Sequence, residues 1–203
     1  MKTSKEIFET LYASYPALVP CRAGIEKAYT ALLVCGNGGS AADSEHIVGE
    51  LMKGFNLKRP LTPEEKALFT GVSGGEEIAD KLQRGIRAVS LVSQSGLITA
   101  FSNDIDPELI FAQQVFAYAQ KKEDVLIALS TSGNSKNVVN AASTAKATGI
   151  RSIAITGEKD SKLSAVSDVT VRLPAQTPFE VQELTLPVYH ALCAAIEADM
   201  FDK

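Results

Sequence analysis

The sequence predicts an α/β protein built on a doubly wound, five-stranded parallel sheet flanked by helices. Two observations carry that prediction. Five apolar runs, each about a strand long, lie at residues 31–35, 88–92, 125–129, 152–156 and 169–173. Most are continuously hydrophobic, which is how strands covered on both faces read. Helix-like stretches fill the intervals, and this alternation implies right-handed βαβ crossovers with a ligand crevice at the carboxyl ends of the strands.

In chain order, residues 4–14 and 21–29 pattern as helices ahead of the first strand. Residues 40–53 follow that strand, 94–103 and 107–121 follow the second, and 137–148 follow the third, with Gly149 placed to act as a C-cap. A long apolar-rich helix over 179–200 ends the chain, and the terminal helices offer a surface on which subunits can pack. One interval breaks the pattern. About fifty residues separate the first strand from the second, more than one crossover helix needs. Residues 64–69 and 76–84 read there as short helices, broken by Gly71, Gly74 and Gly75. This excursion, about 57–87, is either a lid over the site or a surface loop without a chemical role.

The length, 203 residues, suits one domain spanning 1–203, with N-terminal helices over 4–30, and 45% hydrophobic with 22% charged residues is an ordinary globular composition. A net charge of −4 gives no electrostatic reason for a nucleic-acid or anionic-membrane partner. Anionic ligands must then be held by local dipoles. Cys21, Cys35 and Cys193 are odd in number and lack C-x-x-C spacing, so neither a disulfide framework nor a thiolate zinc site is expected. A reducing cytoplasmic setting fits that usage, and no apolar run reaches the length of a membrane span.

Two loops at the carboxyl edge carry the chemistry. Gly36-Asn37-Gly38-Gly39-Ser40 follows the first strand and opens a helix, so backbone amides and the Ser40 hydroxyl, an N-cap or a ligand donor, are available to an anion. Ser130-Thr131-Ser132-Gly133-Asn134-Ser135 stands in the same relation to the third strand, with four hydroxyls at one helix N-terminus. Such donors at the positive end of a helix dipole satisfy a phosphate without many lysines. On the first of these helices His46 and Glu50 stand four apart and share a face.

These two loops resemble the signature loops of the sugar isomerase, or SIS, domain, and the resemblance covers most of the chain. It implies a flavodoxin-like three-layer sandwich in which Ser130, Thr131, Ser132 and Ser135 grip a sugar phosphate while Asn37, Gly38, Gly39 and Ser40 line the sugar. Asn103-Asp104 matches a further sugar-contacting pair in the phosphoheptose isomerase branch. That branch also carries a His-x3-Glu pair after the first loop and a Gln-Glu-x6-His element in the last helix, matched here by His46, Glu50, Gln182 and His190. The resemblance makes these four a zinc (Zn2+) set, with Glu50 as general base and also in contact with substrate, Gln182 touching substrate too, and His190 as general acid. It implies aldose–ketose isomerisation, sedoheptulose 7-phosphate to glycero-manno-heptose 7-phosphate, through an enediol.

Helix geometry adds a constraint. Eight residues rise about 12 Å on an ideal helix, so Gln182 and His190 of one chain do not easily reach one metal. Either the helix is distorted at Pro187 or a neighbouring subunit completes the set, and the second agrees with the homotetramers of the family. Two departures bear on substrate: the excursion over 57–87 is longer than usual, and Phe179 stands where an acidic residue is common. The rival to the isomerase is a non-catalytic SIS module that senses a sugar phosphate or binds another protein, as the relatives associated with the bacterial replication initiator do. Glu50 and His190 together favour the enzyme.

Overall fold

The structure is a computed structural model describing residues 2–21, 33–119 and 123–201. Five parallel strands, β1 (Leu33–Cys35), β2 (Val89–Ser90), β3 (Val125–Leu129), β4 (Arg151–Thr156) and β5 (Val169–Arg172), stand in the order β2-β1-β3-β4-β5. All five expected runs are therefore strands. The expected helix over 21–29 and the start of the first run, residues 31–32, lie outside the described residues apart from Cys21, which ends a 3-10 helix at Pro16–Cys21.

Side chains alternate across the sheet and build two cores. Val34, Ile127, Ile153, Ile155 and Val171 face one layer, where α1 (Ser4–Ser14), α2 (Gly39–Met52) and α9 (Pro178–Phe201) contribute Phe8, Leu11, Ile47, Leu51, Val188 and Leu192. Leu33, Cys35, Leu126, Ala128 and Ala154 face the other, closed by Phe111 and Val115 of α6 (Ile110–Tyr118) and by Val138, Ala141 and Ala145 of α7 (Lys136–Thr148). Each fully buried Ile, Leu or Phe contributes about 1.5–3 kcal/mol. Burial also pushes the thiols of Cys35 and Cys193 up to about 12, so both are small hydrophobes rather than thiolate ligands.

Because α2 leaves β1 for one face and α7 leaves β3 for the other, the chain reverses direction between these neighbouring strands. That is the topological switch point, where a doubly wound sheet opens a crevice at its carboxyl edge. Local signals fix the helices around it. Thr3 and Glu6 form a capping box for α1, and Gly149 ends α7 in the left-handed conformation at φ 78°. α5 (Ser95–Asp104) follows β2 as expected. The single helix expected over 107–121 is instead a 3-10 turn, Pro107–Leu109, followed by α6, which ends at Tyr118. A short helix that periodicity did not reveal, α8 (Lys162–Val166), is set by the Ser161 capping box; five residues are too few to show a repeat.

The excursion is two short helices, α3 (Pro63–Ala67) and α4 (Gly75–Lys81), joined through Gly74 at φ 72°. Its ends are stitched by an antiparallel bridge between Pro60 and Gln83. A buried clasp holds its base to α9: Glu197 accepts from Arg59 Nε (2.7 Å) and from the backbone N–H groups of Phe55, Asn56 and Leu57 (2.8, 2.7 and 3.0 Å). Among the described residues no helix is long and apolar enough to cross a membrane.

Candidate active site

At the carboxyl edge the first loop is shaped by close approaches. A Cβ on Gly36 would meet the Ser40 carbonyl oxygen at 2.5 Å, and one on Gly39 would meet Gln182 Nε2 at 2.5 Å, so the Gln182 side chain lies directly on the loop. Gly38 takes φ 58° and is the N-cap of α2. Ser40, a candidate for that cap, sits instead inside the first turn, 6% exposed, because the positive φ at the cap demands glycine, and Gly38 supplies it two residues earlier. The two loops touch through a reciprocal amide pair: Asn37 Nδ2 donates to Asn137 Oδ1 (2.8 Å) and Asn137 Nδ2 to Asn37 Oδ1 (3.1 Å).

The second loop leaves its helix end open. Ser135 is the N-cap of α7 but makes no side-chain capping bond; its hydroxyl accepts from Ser130 Oγ at 3.2 Å instead. Ser132 Oγ accepts from the Asn134 backbone, and the Thr131 carbonyl accepts from Gly157 N–H at 3.0 Å. A cleft of about 270 Å³ beside Thr131, Ser132 and Asn134 is lined by Lys159 but also by Glu158 and Asp160. Its side-chain charges therefore do not favour an anion by themselves, and the donors present there are the α7 N-terminus and the hydroxyls. Asn103 and Asp104, at the end of α5, are exposed and bonded to each other at 2.8 Å.

A second cluster lies on the flank where α2 packs against α9. His46 Nε2 is 3.2 Å from Glu50 Oε1, and Lys53 Nζ donates to Glu50 Oε2 at 2.8 Å. The His190 ring stands edge-on to His46 with centroids 5.1 Å apart, and Phe55 packs on its other side at 5.6 Å. Burial pushes the Glu50 carboxyl up, but Lys53 and then His46 outweigh it and hold the group below the usual carboxylate range. Burial, then the neighbouring His46, pushes the His190 imidazole below its ordinary value, with Glu50 partly opposing. The flank thus holds an ionised carboxylate sheltered from solvent, 13% exposed, beside an imidazole biased toward its neutral form.

Sequence reasoning missed three members of this cluster. Tyr189, 1% exposed, brings its hydroxyl to 2.8 Å from His46 Nδ1, burial and then the nearby Asp43 raise the Tyr189 pKa, and Lys53 pairs with Glu50. Asp43 was within reach of pattern reading, since it lies three before His46 on the same helix face. Tyr189 was not, because 143 residues separate it from its partner.

The candidate residues are therefore divided between two places on one chain. Asn37, Gly38, Gly39, Ser130, Thr131, Ser132, Ser135 and Gln182 gather at the edge; His46, Glu50 and His190 gather on the flank. At a rise of 1.5 Å per residue, His46 lies about 10 Å and Glu50 about 16 Å beyond Gly39 along α2. α9 runs unbroken through Pro187, with Gln182 beside Gly39 and His190 beside His46. The donor types suit zinc. Yet among the described residues no three His, Cys, Asp or Glu side chains are grouped closely enough to hold a metal ion, and the four-residue zinc set does not assemble within one chain.

Comparison with known proteins adds an independent line. A profile of the SIS domain matches residues 88–196. A phosphoheptose isomerase of Helicobacter pylori is 36% identical over 172 residues, covering 85% of this chain and 77% of that protein. One from Shewanella baltica is 32% identical over 198 residues, covering 96% and 86%. Among solved structures, a phosphoheptose isomerase from Francisella tularensis superposes with a TM-score of 0.70 at 26% identity, covering 97% of this chain and 98% of that one. The phosphoheptose isomerase of Neisseria gonorrhoeae gives 0.64 at 26% identity, covering 94% and 98%.

Proposed function

The chain belongs to the phosphoheptose isomerase branch of the SIS domain family and is a phosphosugar isomerase; from that premise we propose that it converts sedoheptulose 7-phosphate into glycero-manno-heptose 7-phosphate by proton transfer through an enediol. The observation that carries the chemistry is the cluster on the α2–α9 flank, where Glu50 lies 3.2 Å from His46 and the His190 ring stands edge-on to His46 at 5.1 Å. Moving a carbonyl between C1 and C2 requires taking a proton from one carbon and returning it to the next, and one carboxylate does both. Glu50 takes the C–H proton as base. A neutral imidazole at His190 then passes a proton between the two oxygens, since it accepts at one nitrogen while donating from the other.

The substrate's phosphate is assigned to Ser130, Thr131, Ser132, Ser135 and the first turn of α7, and its hydroxyls to Asn37, Gly38, Gly39 and Ser40, with Asn103 and Asp104 as further sugar contacts. A seven-carbon sugar with its phosphate spans on the order of 10 Å by covalent bond lengths. It does not bridge from the edge loops to Glu50 in the same chain. We therefore place the working site between subunits of a homo-oligomer, a tetramer by analogy with the family, where the edge of one chain meets the flank of another. Zinc takes no step in this scheme, because among the described residues His46, Glu50 and His190 of one chain are not grouped closely enough to hold an ion.

Incubation with sedoheptulose 7-phosphate and a panel of other sugar phosphates, with and without a chelator, tests substrate, reaction and metal together. Glu50→Gln is expected to abolish isomerisation while calorimetry still detects sugar-phosphate binding. A fully active Glu50→Gln enzyme would remove Glu50 from the mechanism.

A further inference from the structure

The side chain of Asn37 is oriented from the other loop. The α7 backbone starts the chain of contacts: Asn137 Oδ1 accepts from the Val138 N–H at 2.9 Å, which fixes the oxygen end of that amide. Asn137 Nδ2 then donates to Asn37 Oδ1 at 3.1 Å, and Asn37 Nδ2 returns a bond to Asn137 Oδ1 at 2.8 Å. Turning the Asn37 amide over would set NH2 against NH2 and oxygen against oxygen, so the pair admits one orientation. Asn37 is exposed, on a loop of glycines, and among the described residues these are the bonds that hold its side chain. A carboxamide has two donor hydrogens and two acceptor lone pairs. The pair uses one of each on Asn37 and leaves one N–H and one lone pair, which together complement a hydroxyl, a group that both donates and accepts.

We propose that Asn137 is a positioning residue of the isomerase, which holds Asn37 across the switch point in the one orientation that offers both a donor and an acceptor to a hydroxyl of the sugar. The inference rests on the isomerase reading for the identity of that ligand, while the pair itself stands on the contact distances. Asn137 does not touch the sugar in this scheme and acts through Asn37. Its worth lies in preorganisation: an amide already held by the helix backbone loses less freedom when the substrate arrives than one that swings on a glycine loop. The sequence alone hides the role, because Asn137 reads there as one more polar position of α7, 100 residues from the side chain it orients.

The test is a double-mutant cycle on the full-length protein with Asn37→Ala, Asn137→Ala and both changes together. In Asn137→Ala the KM for sedoheptulose 7-phosphate is expected to rise about 5- to 30-fold, the loss of one to two ordinary hydrogen bonds, with kcat within about threefold of the wild type. A merely structural role would lower kcat through a misfolded fraction and leave KM where it was, so the split separates the two. The double variant is expected to stay within about twofold of Asn37→Ala, since Asn137 acts through a side chain already removed. Asn137→Ser, which keeps a side-chain acceptor at the helix end but is too short for the pair, serves if Asn137→Ala does not fold. Side-chain amide NMR without substrate reads the pair directly: the Asn37 signals, assigned by their loss in Asn37→Ala, are expected to move in the Asn137 variant. Unmoved Asn37 signals, an unchanged KM, or losses that multiply in the double variant overturn the proposal. If no sugar phosphate is turned over, the isomerase reading fails, while the amide signals still decide whether Asn137 holds Asn37.

Discussion

Single residues at this site are set by how near another atom comes. At Gly39 the obstacle to a Cβ is the end of the Gln182 side chain, 2.5 Å away, which can swing aside; at Gly38 the obstacle is φ 58° itself. Gly39→Ala is therefore expected to unfold within about 1 kcal/mol of the wild type, while losing most of its turnover because Gln182 is displaced. Gly38→Ala is expected to cost about 1–3 kcal/mol, because φ 58° with ψ −122° is a backbone conformation that side-chain-bearing residues rarely adopt. Urea titration and a coupled assay on both variants separate the two effects. His190 makes a different prediction. Its pKa lies below the ordinary imidazole value, so as pH falls through about 6.5 the unfolded chain takes up a proton that the folded chain refuses. Stability contributed by neutral His190 is thus present above that pH and declines below it. The urea midpoint should drop less between pH 7.5 and 5.5 in His190→Asn than in the wild type; an equal or larger drop would contradict the assignment.

At the scale of elements, the excursion is a pair of capped helices tied to the body by one buried ion pair. Arg59 and Glu197 are 0% and 1% exposed, and the same carboxylate holds three consecutive backbone N–H groups next to Phe55, which packs on His190. The clasp thus fixes both the excursion and one wall of the flank. Removing one partner of a buried pair leaves the other uncompensated, so Glu197→Ala is expected to cost about 3–5 kcal/mol. Limited proteolysis should then cut first within residues 57–87, where the wild type resists. Equal resistance in the variant would mean that the Pro60–Gln83 bridge suffices to hold the excursion.

At the scale of the whole molecule, the separation of edge and flank predicts complementation between subunits. Gln182→Ala damages the edge and Glu50→Gln the flank, so each homo-oligomer is expected to be inactive, while co-expression of the two should restore activity through sites built from undamaged halves. Mixed oligomers without activity, or a fully active monomer on sedimentation, would refute the shared site. The sequence by itself determined the sheet and the loops. Residues 125–129 are apolar throughout because β3 is covered on both faces, and glycines and hydroxyls after β1 and β3 mark the two loops that meet at the switch point. It also determined that Gln182 and His190 stand two turns apart, since helical rise depends on spacing alone. The tertiary structure decided what no local rule encodes: that Tyr189 meets His46 across 143 residues and Arg59 meets Glu197 across 138. Periodicity reports which face of an element is buried, but not which partner waits there. That choice belongs to the packing of α9 against α2, and it separates Glu50 and His190 of one chain from its own glycine- and hydroxyl-rich loops.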